Sequence, residues 1–532
     1  MRKSIPAAEK KACLVFCLAI LALFFCRLQA IPQEQKAGPE KLSLSLKECI
    51  AKALANNLDL SIEAFNPGIN EASISETKEQ FLPEFGLSYF NQKQTVLGSW
   101  GVEGTSYPYK LDSYSLDLTQ KVVTGGSATL SFSNSMLDSG RAFQVINPSY
   151  NSEFRIRLTQ PLLKGFGPKA NRYGTLQAIN QKDIAVSVLK SKIIQTIYDV
   201  EQAYWNLYSA SENMKVQEQS LEQSREILKR NREAARVGAK SAIEVLSSEA
   251  QVAQYEDNIV FAEQQVEQAE TRLKALLNLP SEAPLSARSL APTDKPLVER
   301  MEITYEAALQ RALDQRQEII QLEKQLENNA SEISYNKNQL LPQLDLSFNM
   351  WSPGQSGVKY IYQDNNPFTG IVVGKVVGSR VDALKEALKT TYRNWSINLT
   401  LNIPMGSVFS RASLARAKLA QEQSQVQLEK QKQTIGYEVA QAIKNLQNCE
   451  RKIKTSAASR ELQEKRLAAE MQRYQLGLGA IEWVLNYQNQ LTSAKTSEIQ
   501  ALIDYKMAVA NLERVMGTTL KTKGLKFRDY EF

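Results

Sequence analysis

The 532-residue chain contains no histidine, so the commonest general base and metal ligand is absent. What remains for chemistry is acids, cysteines and one glycine-bearing run. Asp and Glu are plentiful, but they lie among Gln, Lys and Ala in helical stretches and read as solvated faces. Pro161-Leu162-Leu163-Lys164-Gly165-Phe166-Gly167-Pro168 has glycines without phosphate-loop spacing, and reads as a strand-to-helix connector. Three of the five cysteines lie in the first 26 residues. Cys49 and Cys449 could pair in an oxidising compartment; two buried, unpaired thiols are the favoured reading. No catalytic, cofactor or metal constellation stands out, and an enzyme is not expected.

The elements that carry these residues begin with an export leader. Arg2, Lys3, Lys10 and Lys11 precede an apolar run from Ala12 to Cys26, too short to span a bilayer as a helix. Leu28-Gln29-Ala30 offers a cut site, so residues 1–30 are expected to be a signal peptide. Those 30 residues hold five Lys/Arg and one Glu, so the overall charge of +7 becomes +3 without them. That does not point to nucleic acid. No later stretch is an apolar 20-mer, so no membrane helix is expected.

The rest of the chain says the same thing twice. Phe81-Leu82-Pro83-Glu84-Phe85 returns as Leu340-Leu341-Pro342-Gln343-Leu344. Ala53-Leu54 falls on Ala312-Leu313 at the same offset. Further on, Tyr198 to Leu207 matches Tyr437 to Leu446, and the new offset holds at Gly238 and Gly477, at Val245-Leu246 and Val484-Leu485, and at Leu273 and Leu512. The repeats divide the chain into residues 31–290 and 291–517, with a tail over 518–532.

Each repeat reads as a helix, a strand-rich part and a long helical hairpin. The first helices are expected over about 45–80 and 303–340, the former with Ile50, Leu54, Leu58 and Ile62 on one stripe. Long helices are expected over about 170–236 and 410–475, each returning through a glycine turn to about 278 and 516. Leu279-Pro280 would stop the first return and Gly517 the second. Ile193, Ile197, Val200, Ala203 and Leu207 form an apolar stripe. Helices of about 66 residues are about 100 Å long, so each must lie beside others, as in a helical barrel.

The strand-rich parts, about 84–161 and 343–404, alternate. Phe85, Leu87 and Tyr89 oppose Gly86 and Ser88; Tyr114, Leu116 and Leu118 oppose Ser115, Asp117 and Thr119. Phe154, Ile156 and Leu158 oppose Arg155, Arg157 and Thr159; Trp395, Ile397 and Leu399 oppose Ser396, Asn398 and Thr400. Segments of about nine to eleven residues suit a tilted membrane strand. A soluble sandwich has the same period, but helices this long and polar cannot cover such a sheet compactly. Lipid outside and water inside accounts for both faces. Residues 96–110, 135–150 and 351–392 read as long loops, with a short helix from Val381 to Leu388 in the last, and Thr124-Gly125-Gly126-Ser127 as a tight turn.

In this order and twice over, these features resemble the TolC-like outer-membrane efflux proteins, from about residue 44 to 517. The carriers are Leu44 to Asn57, Leu82-Pro83 and Leu341-Pro342 before strands, the exits Gln160-Pro161-Leu162 and Ile403-Pro404-Met405, and the turns at Gly238 and Gly477. The resemblance implies an α+β membrane protein: a homotrimer whose transmembrane β-barrel continues into a long periplasmic α-helical barrel, built from two tandem repeats. It implies a passive exit duct, without cofactor, in the outer membrane and reaching into the periplasm. Its partners would be outer-membrane lipid, a periplasmic adaptor and an inner-membrane pump of RND or ABC type. Family protomers give four strands each, 12 in all; Leu111 to Asn134 reads as an additional hairpin that either enlarges the barrel or folds as an extension off its rim, the extension being the favoured reading.

The resemblance also singles out the hairpin tips. Val237-Gly238-Ala239 and Leu476-Gly477-Leu478 match the adaptor-docking motif. Gate candidates are Glu244, which three chains would set in a cation-focusing ring, Tyr474, which matches a family position tying the closed tip, and Glu482 and Asn486, at or beside degraded acid positions. Arg236 or Arg473 would pair with these acids. Two rivals remain: a structural coiled-coil envelope protein, which leaves the strands unexplained, and a periplasmic adaptor, which would not show them twice.

Overall fold

The computed structural model describes residues 42–97, 106–141, 143–278, 289–404 and 408–525. The expected leader, Leu279-Pro280, Met405 and the end of the tail lie outside these residues. Among the described residues no helix is long and apolar enough to cross a membrane.

The first repeat opens with β1 (Leu42–Leu44), α1 (Leu46–Asn56) and α2 (Leu58–Glu79). Ser45 starts α1 through a capping box with Glu48. The single first helix expected from the sequence is broken: Asn57, in an extended conformation (ψ 119°), ends α1 and caps α2, accepting from the Leu60 N–H. The break turns the helix face. Ile50 and Leu54 are buried, but Leu58 and Ile62 are exposed, so the four do not form one buried stripe.

Four strands follow: β2 (Glu84–Leu97), β3 (Ser106–Lys121), β4 (Ser127–Ser139) and β5 (Ile146–Pro161). A one-turn helix α3 (Pro168–Asn171) leads into α4 (Tyr173–Arg236), which returns as α5 (Ala242–Leu277). Asn278, in the left-handed region, ends α5. After β6 (Leu290–Pro292), which pairs in parallel with β1, the pattern repeats as α6 (Tyr305–Gln315) and α7 (Gln317–Gln339), broken at Arg316. Then come β7 (Gln343–Tyr362), β8 (Val372–Val377), α8 (Arg380–Leu388), β9 (Asn394–Asn402), α9 (Val408–Gln475), α10 (Ile481–Val515) and α11 (Thr519–Thr522).

At 64 and 68 residues, α4 and α9 are each about 100 Å long. The stripe Ile193, Ile197, Val200, Ala203 and Leu207 is fully buried, against Ile50, Ala53, Leu54 and Leu273. The second repeat builds the matching core from Val439, Ala442, Leu446, Ala308, Ala312 and Leu512. Cys49 lies in the first core and Cys449 in the second, both as free thiols.

The strands form one antiparallel sheet ordered β2-β3-β4-β5-β7, with β8 and β9 both pairing along the far edge of β7. Two expectations are corrected here. The strands of the first repeat and β7 have 13 to 20 residues, beyond the expected nine to eleven, and take in parts of the expected loops. Their upper halves carry polar residues on both faces, so the apolar alternation used to bound them stops early. Second, the hairpin over Leu111 to Asn134 is no extension off the rim: β3 and β4 pair with β2 and β5 along their length. One row reads Phe85, Leu118, Leu130, Ile156, Met350, Trp395 across six strands. Removing the hairpin would break that apolar row. Its turn packs tightly: a Cβ on Gly125 (φ 93°) would collide with the Gly165 carbonyl.

Candidate functional site

Both hairpin turns are built alike. Gly238 (φ 75°) follows α4 and Gly477 (φ 74°) follows α9. Gly238 N–H donates to Ala235 O at 3.0 Å and Ala239 N–H to Ala234 O at 2.9 Å; Gly477 N–H donates to Tyr474 O at 3.1 Å and Leu478 N–H to Arg473 O at 2.9 Å. This bond pattern closes a helix only where one residue is left-handed, hence glycine. The turns hold apolar side chains in solvent: Val237 is 79% exposed, Leu476 73% and Leu478 70%. Nothing lies near either glycine on its Cβ side.

Two residues behind the turn, the hairpins are tied together. Tyr474, on α9, is buried, and its hydroxyl lies 2.8 Å from Asn231 Oδ1 on α4 and 3.0 Å from Glu244 Oε2 on α5. Asn231 is oriented by donating to Ser248 Oγ at 2.8 Å. Lys240 Nζ is 3.0 Å from Glu244 Oε2 and 3.9 Å from the centre of the Tyr474 ring. Burial pushes the Glu244 carboxyl up, but the hydrogen bonds from Lys240 and Tyr474 outweigh it and hold it below its usual range. Burial, and then the bond to Glu244, push the Tyr474 hydroxyl well up, so it stays a donor.

The other candidates stand apart from this knot. Arg473 pairs with Glu470 at 3.2 Å and reaches Leu478 O at 3.4 Å. The cation on Glu244 is therefore Lys240, four residues before it in the turn, rather than Arg236 or Arg473. Arg236 and Glu482 are exposed, and Asn486 accepts from Gln490. Within one chain, Lys240 and Tyr474 both hold the Glu244 carboxylate.

Sequence reasoning missed Lys240 and Asn231, and a polar ladder above them. Ser220 Oγ lies 2.8 Å from Thr492 Oγ1; Gln488 donates to Ser220 O at 3.0 Å and Ser224 Oγ at 2.9 Å; Tyr255 donates to Asn489 Oδ1 at 2.8 Å. The four-residue spacing of Ser220 with Ser224, and of Gln488 with Thr492, was the available signal.

The model of the "Outer membrane efflux protein" family matches residues 49–279 and again 308–518, one match for each repeat. The chain belongs to this family. It is accordingly an outer-membrane efflux channel component, and a transport conduit rather than an enzyme. Solved structures share its fold. A membrane protein from Pseudomonas aeruginosa is 17% identical over 89% of this chain and 93% of its own, with a TM-score of 0.63. The CmeC outer membrane channel of Campylobacter jejuni is 15% identical over 94% and 95%, with a TM-score of 0.62. The open state of the MtrE outer membrane channel of Neisseria gonorrhoeae is 18% identical over 89% of both chains, with a TM-score of 0.60. No curated protein matches by sequence.

Proposed function

We propose that three copies of this chain close into one duct, with a β-barrel in the outer membrane and a helical tube in the periplasm. The observation that carries this reading is the open sheet. Its β2 edge and its β9 edge have no partner strand among the described residues, and an apolar row crosses six strands on one face, with Phe85, Leu118, Leu130 and Trp395 exposed. Unpaired edges and a bare apolar face are both costly in water, and closure by neighbours within lipid removes both costs.

In this reading residues 1–30 export the chain, and the exposed turns at Val237-Gly238-Ala239 and Leu476-Gly477-Leu478 dock a periplasmic adaptor. The adaptor couples the duct to an inner-membrane pump of RND or ABC type, which supplies the energy. The tie from Tyr474 to Asn231 and Glu244 holds the second hairpin against the first, and its release opens the tip.

Reconstitution in planar bilayers tests the duct: a detergent-extracted, heat-resistant trimer should give conductance steps. A monomer that stays soluble without detergent, or a trimer with no conductance, sinks it. For docking, a photo-crosslinker placed at Gly238 or Gly477 should capture an adaptor with its pump; labelling no stronger than from an exposed site midway along α9 rejects that role.

A further inference from the structure

The apolar face of the sheet has a polar interruption. Two rows above Phe85 and Leu118, the row runs Tyr89, Tyr114, Asn134, Ser152, Gly354. Asn134 donates to Ser152 Oγ at 2.6 Å, and Ser352 stands just below. Facing hydrocarbon, such groups would be costly. They do not face it, because α8 lies across them. Ala383 and Ala387 are fully buried, and a Cβ on Gly354 would run into the backbone of both. Arg380 pairs with Asp112 and lies over the rings of Tyr114 and Tyr150, at 5.4 and 5.8 Å. Glu386 accepts the Gln355 N–H at 2.9 Å.

All of these partners but the last lie at positions of the apolar face, so α8 rests on the side of the wall that carries Leu116 and Phe154, not on the side of Arg155 and Arg157. It covers the protomer's own strands rather than the free edges of β2 and β9. Its outward side is amphipathic. Val381 and Leu388 are exposed with Leu384 between them, and Lys385 and Lys389 stand exposed on the same turns. The acids of the helix are committed elsewhere, Asp382 to the Ser379 cap and Glu386 to Gln355.

We propose that α8 is an interfacial helix of the outer leaflet. It shields the polar patch of the wall, meets acyl chains through Val381, Leu384 and Leu388, and binds the phosphates of anionic lipid headgroups through Lys385 and Lys389. Short apolar side chains beside long cationic ones suit the boundary between acyl chains and headgroups. The inference rests on the barrel reading above, and the test separates the two.

The exported protein, from residue 31 onward and so without Cys13, Cys17 and Cys26, is reconstituted in lipid A-containing nanodiscs with a spin label at Leu388→Cys or, on the wall, at Leu399→Cys; its native thiols Cys49 and Cys449 are buried. Both labels should be relaxed by oxygen rather than by an aqueous nickel chelate. If Leu399 meets oxygen and Leu388 meets chelate, α8 is not in lipid and the proposal falls while the barrel stands. If both meet chelate, the barrel reading falls with it. Native mass spectrometry then compares wild type with Lys385→Gln/Lys389→Gln. The double variant should retain lipid A at least about tenfold more weakly, with phosphatidylcholine retention unchanged. Equal lipid A retention overturns phosphate binding.

Discussion

At the scale of residues, the tip rests on few atoms. Tyr474→Phe keeps the packing beside Ile481 and Val484 but removes the donor to Asn231 and Glu244. A loss of about 1 kcal/mol of closure is expected, read as more frequent opening in bilayer recordings. The tie also has an acid limit. The folded pKa of Glu244 lies below its unfolded value of 4.5, so its contribution is fully present above 4.5 and is lost as pH falls through the folded value. Opening frequency should therefore rise as pH falls from 4.5 through the depressed folded value in the wild type and change less in Glu244→Gln.

A second residue-scale test lies at the end of the described chain. Lys523 pairs with Glu201, whose side chain is 3% exposed. Burial raises the Glu201 pKa, and Lys523 offsets part of that. Lys523→Met strands the carboxylate and should cost about 3–5 kcal/mol near neutral pH. The sign reverses that of Glu244: a raised folded pKa means stability is lost as pH rises, so the penalty in thermal melts should be larger at pH 8 than at pH 5.

At the scale of elements, turns and breaks decide the shape. Gly238 and Gly477 have open space on the Cβ side, so alanine at either meets no clash and pays only for a left-handed backbone. About 1–2 kcal/mol per site is expected, visible as faster hydrogen exchange in the last turns of α4 and α9 with the far ends of the hairpins unchanged. Gly354 is the opposite case. Gly354→Val drives a side chain into the α8 backbone, so α8 should lift and become trypsin-sensitive at Lys385 and Lys389. Breaks at Asn57 and Arg316 were not legible in the sequence, because neither residue is a helix breaker. Asn57 works by capping the next helix, and Arg316 by pairing with Glu318 and Glu438, partners that the fold brings near.

At the scale of the whole molecule, the internal duplication and the strand count set the architecture. Six strand columns per protomer predict an 18-stranded trimer rather than the 12 that the family resemblance implied. Barrel diameter grows roughly linearly with strand number, so a ring about 1.5 times wider is expected. Electron cryo-microscopy in nanodiscs would count the strands. Twelve would mean that β3 and β4 leave the wall on assembly.

Periodicity and repetition alone determined the helix–strand–hairpin order, the stripe from Ile193 to Leu207, the two glycine turns and the apolar face of Phe85, Leu87 and Tyr89. Those are local signals, since each residue reports its own face through a spacing of 3.6 or 2. Only the tertiary structure decided that Tyr474 reaches Asn231 and Glu244, that the hairpin of β3 and β4 joins the sheet, and that α8 lies on its apolar side. Each of those depends on which segments become neighbours, and strand register or a hydrogen bond between distant segments leaves no period in the chain that makes it.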